Sequence, residues 1–189
     1  MPLQQILSRH EPSDEAEADD LARIRAFVDL HPQPFDRAIA QGHLTASAMV
    51  LTRDGQRVLL LFHAKLRRWL QPGGHAEPGE TQGEAVALRE ALEETGLSGL
   101  ELHPDAPRPL DVDVHDIPAR GDEPAHEHLD LRYLVVADDA AAIRPAEGET
   151  TRVHWFTWDE LAALDLDHGL RRALTKARHW CERTRPGTS

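Results

Sequence analysis

Leu21, Ile24, Phe27 and Val28 recur at helical spacing, after a start signal in which Pro12 and Ser13 precede the acids Asp14 and Glu15. His31-Pro32-Gln33-Pro34 ends that helix. Residues 1–42 are therefore predicted to form a helical N-terminal extension packed on the main body, 43–189. From residue 43 the period changes. Residues 43–52 and 56–62 read as strands joined at Asp54-Gly55, a strong hairpin signal. Residues 65–68 form a basic turn, and Trp69-Leu70-Gln71 leads into the break Pro72-Gly73-Gly74. Residues 75–81 read as loop. A helix is predicted from about 82 to 95, with Gly96 at its C-terminal cap. Leu110, Val112 and Val114 then alternate with Asp111, Asp113 and His115, as in a strand. A polar loop, 118–124, separates it from a second strand, 126–137. There Leu129, Leu131, Tyr133 and Val135 share one face, and His126, His128, Asp130 and Arg132 the other. After an acidic, Ala-rich loop at 138–148 come a last strand, 151–156, and helices at 159–164 and 169–181. Mixed strands and helices, with hairpins, predict an α/β (α+β) class: a sheet with helices on its faces.

Composition narrows the function. At 189 residues the chain suits one domain. Its net charge of −12 disfavours binding to duplex nucleic acid through phosphate contacts. A single cysteine, Cys181, excludes an internal disulfide and a Cys-based zinc cluster, and no basic cluster near it suggests a reactive thiol. The longest apolar run, 58–62, is too short to span a membrane, and the first residues lack the apolar stretch of a secretory signal. A cytoplasmic protein is expected. If a chain this acidic handles phosphates, it needs a cation to help.

The informative segment is 73–97. At about 100° per residue, Ala85, Leu88 and Leu92 fall on one side of its helix and Glu90, Glu93 and Glu94 on the opposite side. Glu90 and Glu94 are i,i+4 neighbours, whose repulsion costs a few tenths of a kcal/mol unless a cation reverses its sign. Hard oxygen ligands on a rigid helix suit Mg2+ or Mn2+. A plain solvated acidic face is the simpler reading of the three glutamates alone. Pro72-Gly73-Gly74 changes the balance, because it can aim a carbonyl at a metal or bring backbone close to a phosphate. Arg89, on the flank, is placed to orient a carboxylate, and Glu80 to meet Arg89.

This segment resembles the Nudix box, Gly-x5-Glu-x7-Arg-Glu-U-x-Glu-Glu-x-Gly-U with U a bulky apolar residue. Gly74 to Glu80 matches, as does the run from Arg89 to Leu97, with Ala91 small for its apolar position. One spacing departs: eight residues, not seven, lie between Glu80 and Arg89. The extra residue is read as a loop bulge near Gly83, a change that bears on the Glu80–Arg89 contact more than on the metal ligands. The resemblance implies an α/β/α sandwich around a mixed sheet. It also implies Mg2+- or Mn2+-dependent hydrolysis of a nucleoside diphosphate linked to another group, X. Glu90 and Glu94 would be metal ligands, Glu93 a further ligand or a base toward water, and the Gly74 carbonyl an extra ligand. Arg89 would hold the glutamates, with Glu80 as its partner. Many family members place one more acid outside the box; Glu149 is the first candidate here, with Asp130 and Glu127 behind it. The alternative is a non-hydrolytic nucleotide-binding or regulatory module on the same fold. A prenyl diphosphate isomerase is disfavoured, since no cysteine lies near the box.

The remaining candidates are weaker. His63, Lys65, Arg67 and Arg68 could contact phosphates or simply solubilise a turn. Trp69 could stack on a base, though packing is the commoner role. The face bearing His126, His128, Asp130 and Arg132 either meets solvent or lines the cleft for a small nucleotide or diphosphate substrate. The chain has 12 histidines, but no His-x-x-x-His pair falls on a predicted helix, so no zinc site is expected. Residues 1–42 could supply a homodimer contact or a lid. Nothing in the sequence names X.

Overall fold

The structure, a computed structural model, describes residues 2–64, 66–104, 106–121, 124–138, 143–144 and 152–184. Two helices come first, α1 (Leu3–Ser8) and α2 (Glu15–Leu30). The Asp14 side chain caps α2 by accepting from the Glu17 amide. The sheet is organised on β1 (Gly42–Thr52). A four-residue loop, 53–56, in which the Gly55 amide donates to the Thr52 carbonyl at 2.8 Å and Gly55 takes φ 67°, returns the chain as β2 (Arg57–His63), antiparallel to the C-terminal half of β1. Short strands β3 (Arg68–Leu70) and β4 (Gly73–His75) follow, on β2 and on the N-terminal half of β1 respectively. Neither was distinct in the sequence pattern, because three residues are too few to show alternation.

Helix α3 (Gly83–Thr95) ends at Gly96, which takes the left-handed conformation at φ 65°. Beyond it lie β5 (Glu101–Leu102), β6 (Asp111–Ile117), β7 (His126–Ala137), β8 (Val153–Thr157), α4 (Trp158–Ala162) and α5 (His168–Thr184). β7 has the bounds read from its alternation. It runs parallel to β1 from Gly42↔Glu127 to Thr52↔Ala137, which needs the long crossover containing α3. Among the described residues all other pairings are antiparallel, so the sheet is mixed.

Both faces of the sheet are covered. Leu44, Ala46, Ala48 and Val50 of β1 join Leu129, Leu131, Tyr133 and Val135 of β7 in a core closed by α3 and α2. Met49, Leu51, Leu134, Val58, Leu60 and Phe156 form a second core beneath α5, with Leu170, Ala173, Leu174 and Ala177. This is the expected α/β/α arrangement. The extension belongs to the first core: Leu7, Leu21, Ile24 and Val28 are buried in it.

The buried stripe of α3 is Val86, Ala87, Ala91 and Thr95, whereas Ala85 and Leu92 face outward, Leu92 at 49% exposure. Small residues on the packing side let the helix sit close to the sheet, which brings Glu90 and Glu94 to the β4 backbone. Leu88, beside that stripe, is half-buried and packs on the edge of the first core. Hence Leu131→Ala, which empties a fully buried site facing α3, should cost about 2–5 kcal/mol in urea unfolding. Leu92→Ala should stay within about 0.5 kcal/mol. Equal losses would put Leu92 in the core after all.

Candidate active site

The site is the meeting of β4 with the last two turns of α3. The Gly73 amide donates to Glu94 Oε2 at 2.8 Å, tying the strand to the helix. At Gly74 an added Cβ would stand 2.7 Å from the Glu90 carboxyl carbon, so a side chain here would push that carboxylate aside. Arg89 organises the rest. Its Nε and Nη2 donate to both Glu80 oxygens at 2.9–3.3 Å, a two-pronged contact. Nη1 donates to Glu90 Oε1 at 2.9 Å and Glu93 Oε2 at 3.1 Å, and Nη2 reaches the His75 carbonyl at 2.7 Å. One guanidinium, 20% exposed, therefore serves three carboxylates.

The extra residue of the box does not break this arrangement. Ahead of Gly83, Gln82 is extended and exposed, and α3 starts regularly on the Gln82 carbonyl. The Arg89 hydrogen bonds hold the Glu80 carboxyl below its usual value, helped by the Glu77 amide. The same bonds to Glu80, then those to Glu90, push the Arg89 guanidinium further up.

Above these groups opens a cavity of about 920 Å³. The glutamate side is Glu80, Arg89, Glu90 and Glu93; the opposite wall is the segment after α2, from His31 to Arg37. Neither this wall nor Arg37 was among the sequence candidates, because sequence distance hides what the extension packs against. The donor set fits a hard divalent cation: carboxylates of Glu90 and Glu94, with backbone brought up by a glycine that leaves no room for a side chain. Glu93, at 46% exposure, is the most accessible of the three.

The other sequence candidates lie elsewhere. Trp69 packs edge-on to Phe62 and Phe156, with Arg152 over its ring, in the second core. Arg67 and Arg68 are exposed beside it, away from the cavity lining. Asp130 is 3% exposed and accepts from Thr45 and Ser47 hydroxyls at 3.0 and 2.6 Å and from Arg132 Nε at 3.3 Å. Glu127 pairs with Arg23 of α2. Lys65 and Glu149 lie outside the described residues. The polar face of β7 is neither a solvent face nor a wall of the large cavity. Arg132 bonds Asp111 and Asp113 at 3.1 and 2.9 Å, and Arg172 of α5 bonds Asp111 at 2.8 Å, all under cover.

At the other end of that face, His43, His75 and His128 come together from three strands. Burial, reinforced by its histidine neighbours, pushes His128 down to about 2; burial and then Arg37 push His75 down to about 4.

This architecture and this glutamate cluster define a class. The chain belongs to the NUDIX family, whose domain model matches residues 42–177. A probable DHNTP pyrophosphohydrolase of Lactococcus lactis subsp. cremoris (strain MG1363) is 33% identical over 101 residues, 52% of this chain. The match spans only 57% of that relative's length. Among solved structures, a C. elegans Ap4A hydrolase binary complex superposes at TM-score 0.58 and 19% identity, covering 74% of this chain and 98% of that one. The NUDIX domain of Shewanella oneidensis NrtR, complexed with ADP ribose, covers 95% of this chain and 99% of its own at TM-score 0.51 and 19% identity. At such identities these two show the shared fold.

Because Glu80 is held below 4.5 when folded, its ion pair stabilises the chain fully above that value and is lost as pH falls through the lowered one. Glu80→Gln should therefore unfold at lower urea than the parent at neutral pH, and the gap should close on acidification below 4.5. A gap independent of pH would show that the charge of Glu80 is not what stabilises.

Proposed function

We propose that the chain is a divalent-metal-dependent hydrolase of phosphoric anhydrides, cleaving the pyrophosphate bond of a nucleoside diphosphate linked to a second group. The observation that carries this reading is the Arg89-centred cluster, which gathers Glu80, Glu90 and Glu93 beside a glycine strand on one side of the large cavity. The cavity volume suits a ligand of nucleotide size.

Glu90, Glu94 and the Gly74 carbonyl are the groups that would hold Mg2+ or Mn2+. The bound cation supplies neutralisation of phosphate charge and a lowered pKa for water. The chain's own residues do the remainder. Arg89 keeps the mutually repelling carboxylates of Glu80, Glu90 and Glu93 in one place. Glu93, the exposed acid, accepts the proton of the attacking water or adds a further ligand; Glu149 remains the candidate base outside the box. Arg37, on the far wall, offers a positive charge to a phosphate that the net charge of −12 would otherwise repel. The cytoplasm, where nucleotides and Mg2+ are abundant, is the compartment this reading assigns. Among the described residues no helix is long and apolar enough to cross a membrane.

A second reading, a nucleotide-binding module without turnover, draws its support from the NrtR domain, whose likeness extends over the N-terminal helices as well. A substrate panel separates the two. Nucleoside triphosphates, nucleotide sugars, ADP-ribose and dinucleotide polyphosphates are incubated with Mg2+, with Mn2+ or with chelator, and products are resolved by chromatography. Metal-dependent release of a nucleoside monophosphate is expected from one class. Glu94→Gln should lower that turnover at least about 100-fold, as expected where the metal carries the transition-state charge. Full turnover by that variant, or turnover in chelator, would sink the metal assignment. Ligand-induced thermal stabilisation with no product would favour the binding module.

A further inference from the structure

We propose that His43, His75 and His128 form a second metal site, for a nitrogen-preferring transition ion of the Zn2+ type, on the sheet face opposite the box glutamates.

The site follows from register. His43 and His128 are paired across the parallel β1–β7 ladder, and Thr45, two residues on, is paired with His75 of β4. Residues paired across a ladder, and those two apart on a strand, share a face. Strand β4 thus carries two functions by its pleat. At Gly74 a side chain would point at Glu90, and the next residue, His75, points the other way, into the histidines. One ring nitrogen from each of His43, His75 and His128 lies within 4.8 Å of the others. His75 Nε2 and His128 Nε2 are 3.0 Å apart. Zinc–imidazole bonds of about 2.0–2.1 Å set neighbouring donors of a tetrahedral site roughly 3.3 Å apart, so this pair is already near chelating distance.

Proton bookkeeping points the same way. His126 Nδ1 lies 3.0 Å from the Pro124 carbonyl, which can only accept, so His126 donates from Nδ1. In its neutral form that leaves a lone pair on Nε2, 3.3 Å from His128 Nε2. His128 Nε2 thus meets two other Nε2 atoms. If it carries a proton, the lone pairs of His75 and His126 compete for it; if not, its own lone pair faces that of His126. Either way at least two lone pairs converge on one spot, an arrangement a shared cation satisfies. Asp113 and Asp130 lie on the same face, but Arg132 and Arg172 already pair with them, so the imidazole nitrogens are what the site offers an ion. Imidazole donors suit Zn2+, Cu2+ or Ni2+ and not Mg2+, so this site and the glutamates select different ions. An ion here would fix His75, whose carbonyl holds Arg89 at 2.7 Å, and so would steady the box from behind.

The test is equilibrium dialysis of the full chain against Co2+, with excess Mg2+ present to fill the glutamate site. We expect one retained Co2+ per chain, with the intense visible absorption of four-coordinate, nitrogen-ligated cobalt, displaced by Zn2+. His75→Asn and His128→Asn should each weaken retention by more than the roughly 10–100-fold lost when an outer contact is removed. Glu94→Gln should leave the spectrum in place. Should the histidine variants not fold, the unaltered chain gives the same reading: Zn2+, and not Mg2+, should protect the half-buried His75 and His128 from diethyl pyrocarbonate. No cobalt spectrum in the unaltered chain, an unchanged spectrum in both histidine variants, or no protection by Zn2+ would each overturn the proposal.

Discussion

The guanidinium of Arg89 is the contact on which the rest of the site depends. Three carboxylates of one helix and one loop would repel one another in its absence. With it, Glu80, Glu90 and Glu93 share a single cation, and the His75 carbonyl anchors that cation to the sheet. The arrangement leaves the remaining oxygens of Glu90, together with Glu94, turned toward β4, where they can act on a metal. It also explains why the loop accepts an extra residue. What matters is that the Glu80 carboxylate reaches the guanidinium, and a two-pronged contact fixes that end whatever path the backbone takes.

Close packing makes the contact possible. Helix α3 meets the sheet through Val86, Ala87, Ala91 and Thr95, and Gly83 sits so tightly that a Cβ would come within 2.6 Å of the Tyr133 hydroxyl. The opposite side of the sheet shows a second solution to buried charge. Arg132 and Arg172 are shared among Asp111, Asp113 and Asp130, and Glu17 of α2 takes Lys176 of α5 at 2.5 Å. Breaking such a buried pair on one side costs far more than the pair itself contributes. The Glu17–Lys176 pair therefore ties the N-terminal extension to the last helix.

Much of this was legible in the sequence, for physical reasons. The hairpin at Asp54-Gly55, strand β7 and the length of α3 all followed from periodicity and turn chemistry, and the box residues from their spacing. The sequence set Ala85, Leu88 and Leu92 opposite the glutamates without fixing which side packs; the structure buries Val86, Ala87, Ala91 and Thr95, with Leu88 at the edge of the core, and so brings the acids to β4. The histidine cluster was hidden because its members come from three strands. A search for helical His pairs cannot see a set made by the β1–β7 and β1–β4 registers. The 31–37 wall was hidden for the same reason: it is a tertiary contact of a segment that local pattern marks only as a helix stop.

The central claim is that the glycine strand and the acidic turn of α3 form one cation site. Mn2+ titration of Gly74→Ala, followed by electron paramagnetic resonance, tests it most directly. The added methyl would meet the flexible end of Glu90 rather than backbone, so the fold should survive while that carboxylate is displaced. The account predicts Mn2+ affinity lowered at least about 10-fold, as for a ligand moved out of a preorganised geometry, with thermal unfolding close to that of the parent chain. Unchanged Mn2+ binding in a folded Gly74→Ala chain would contradict it.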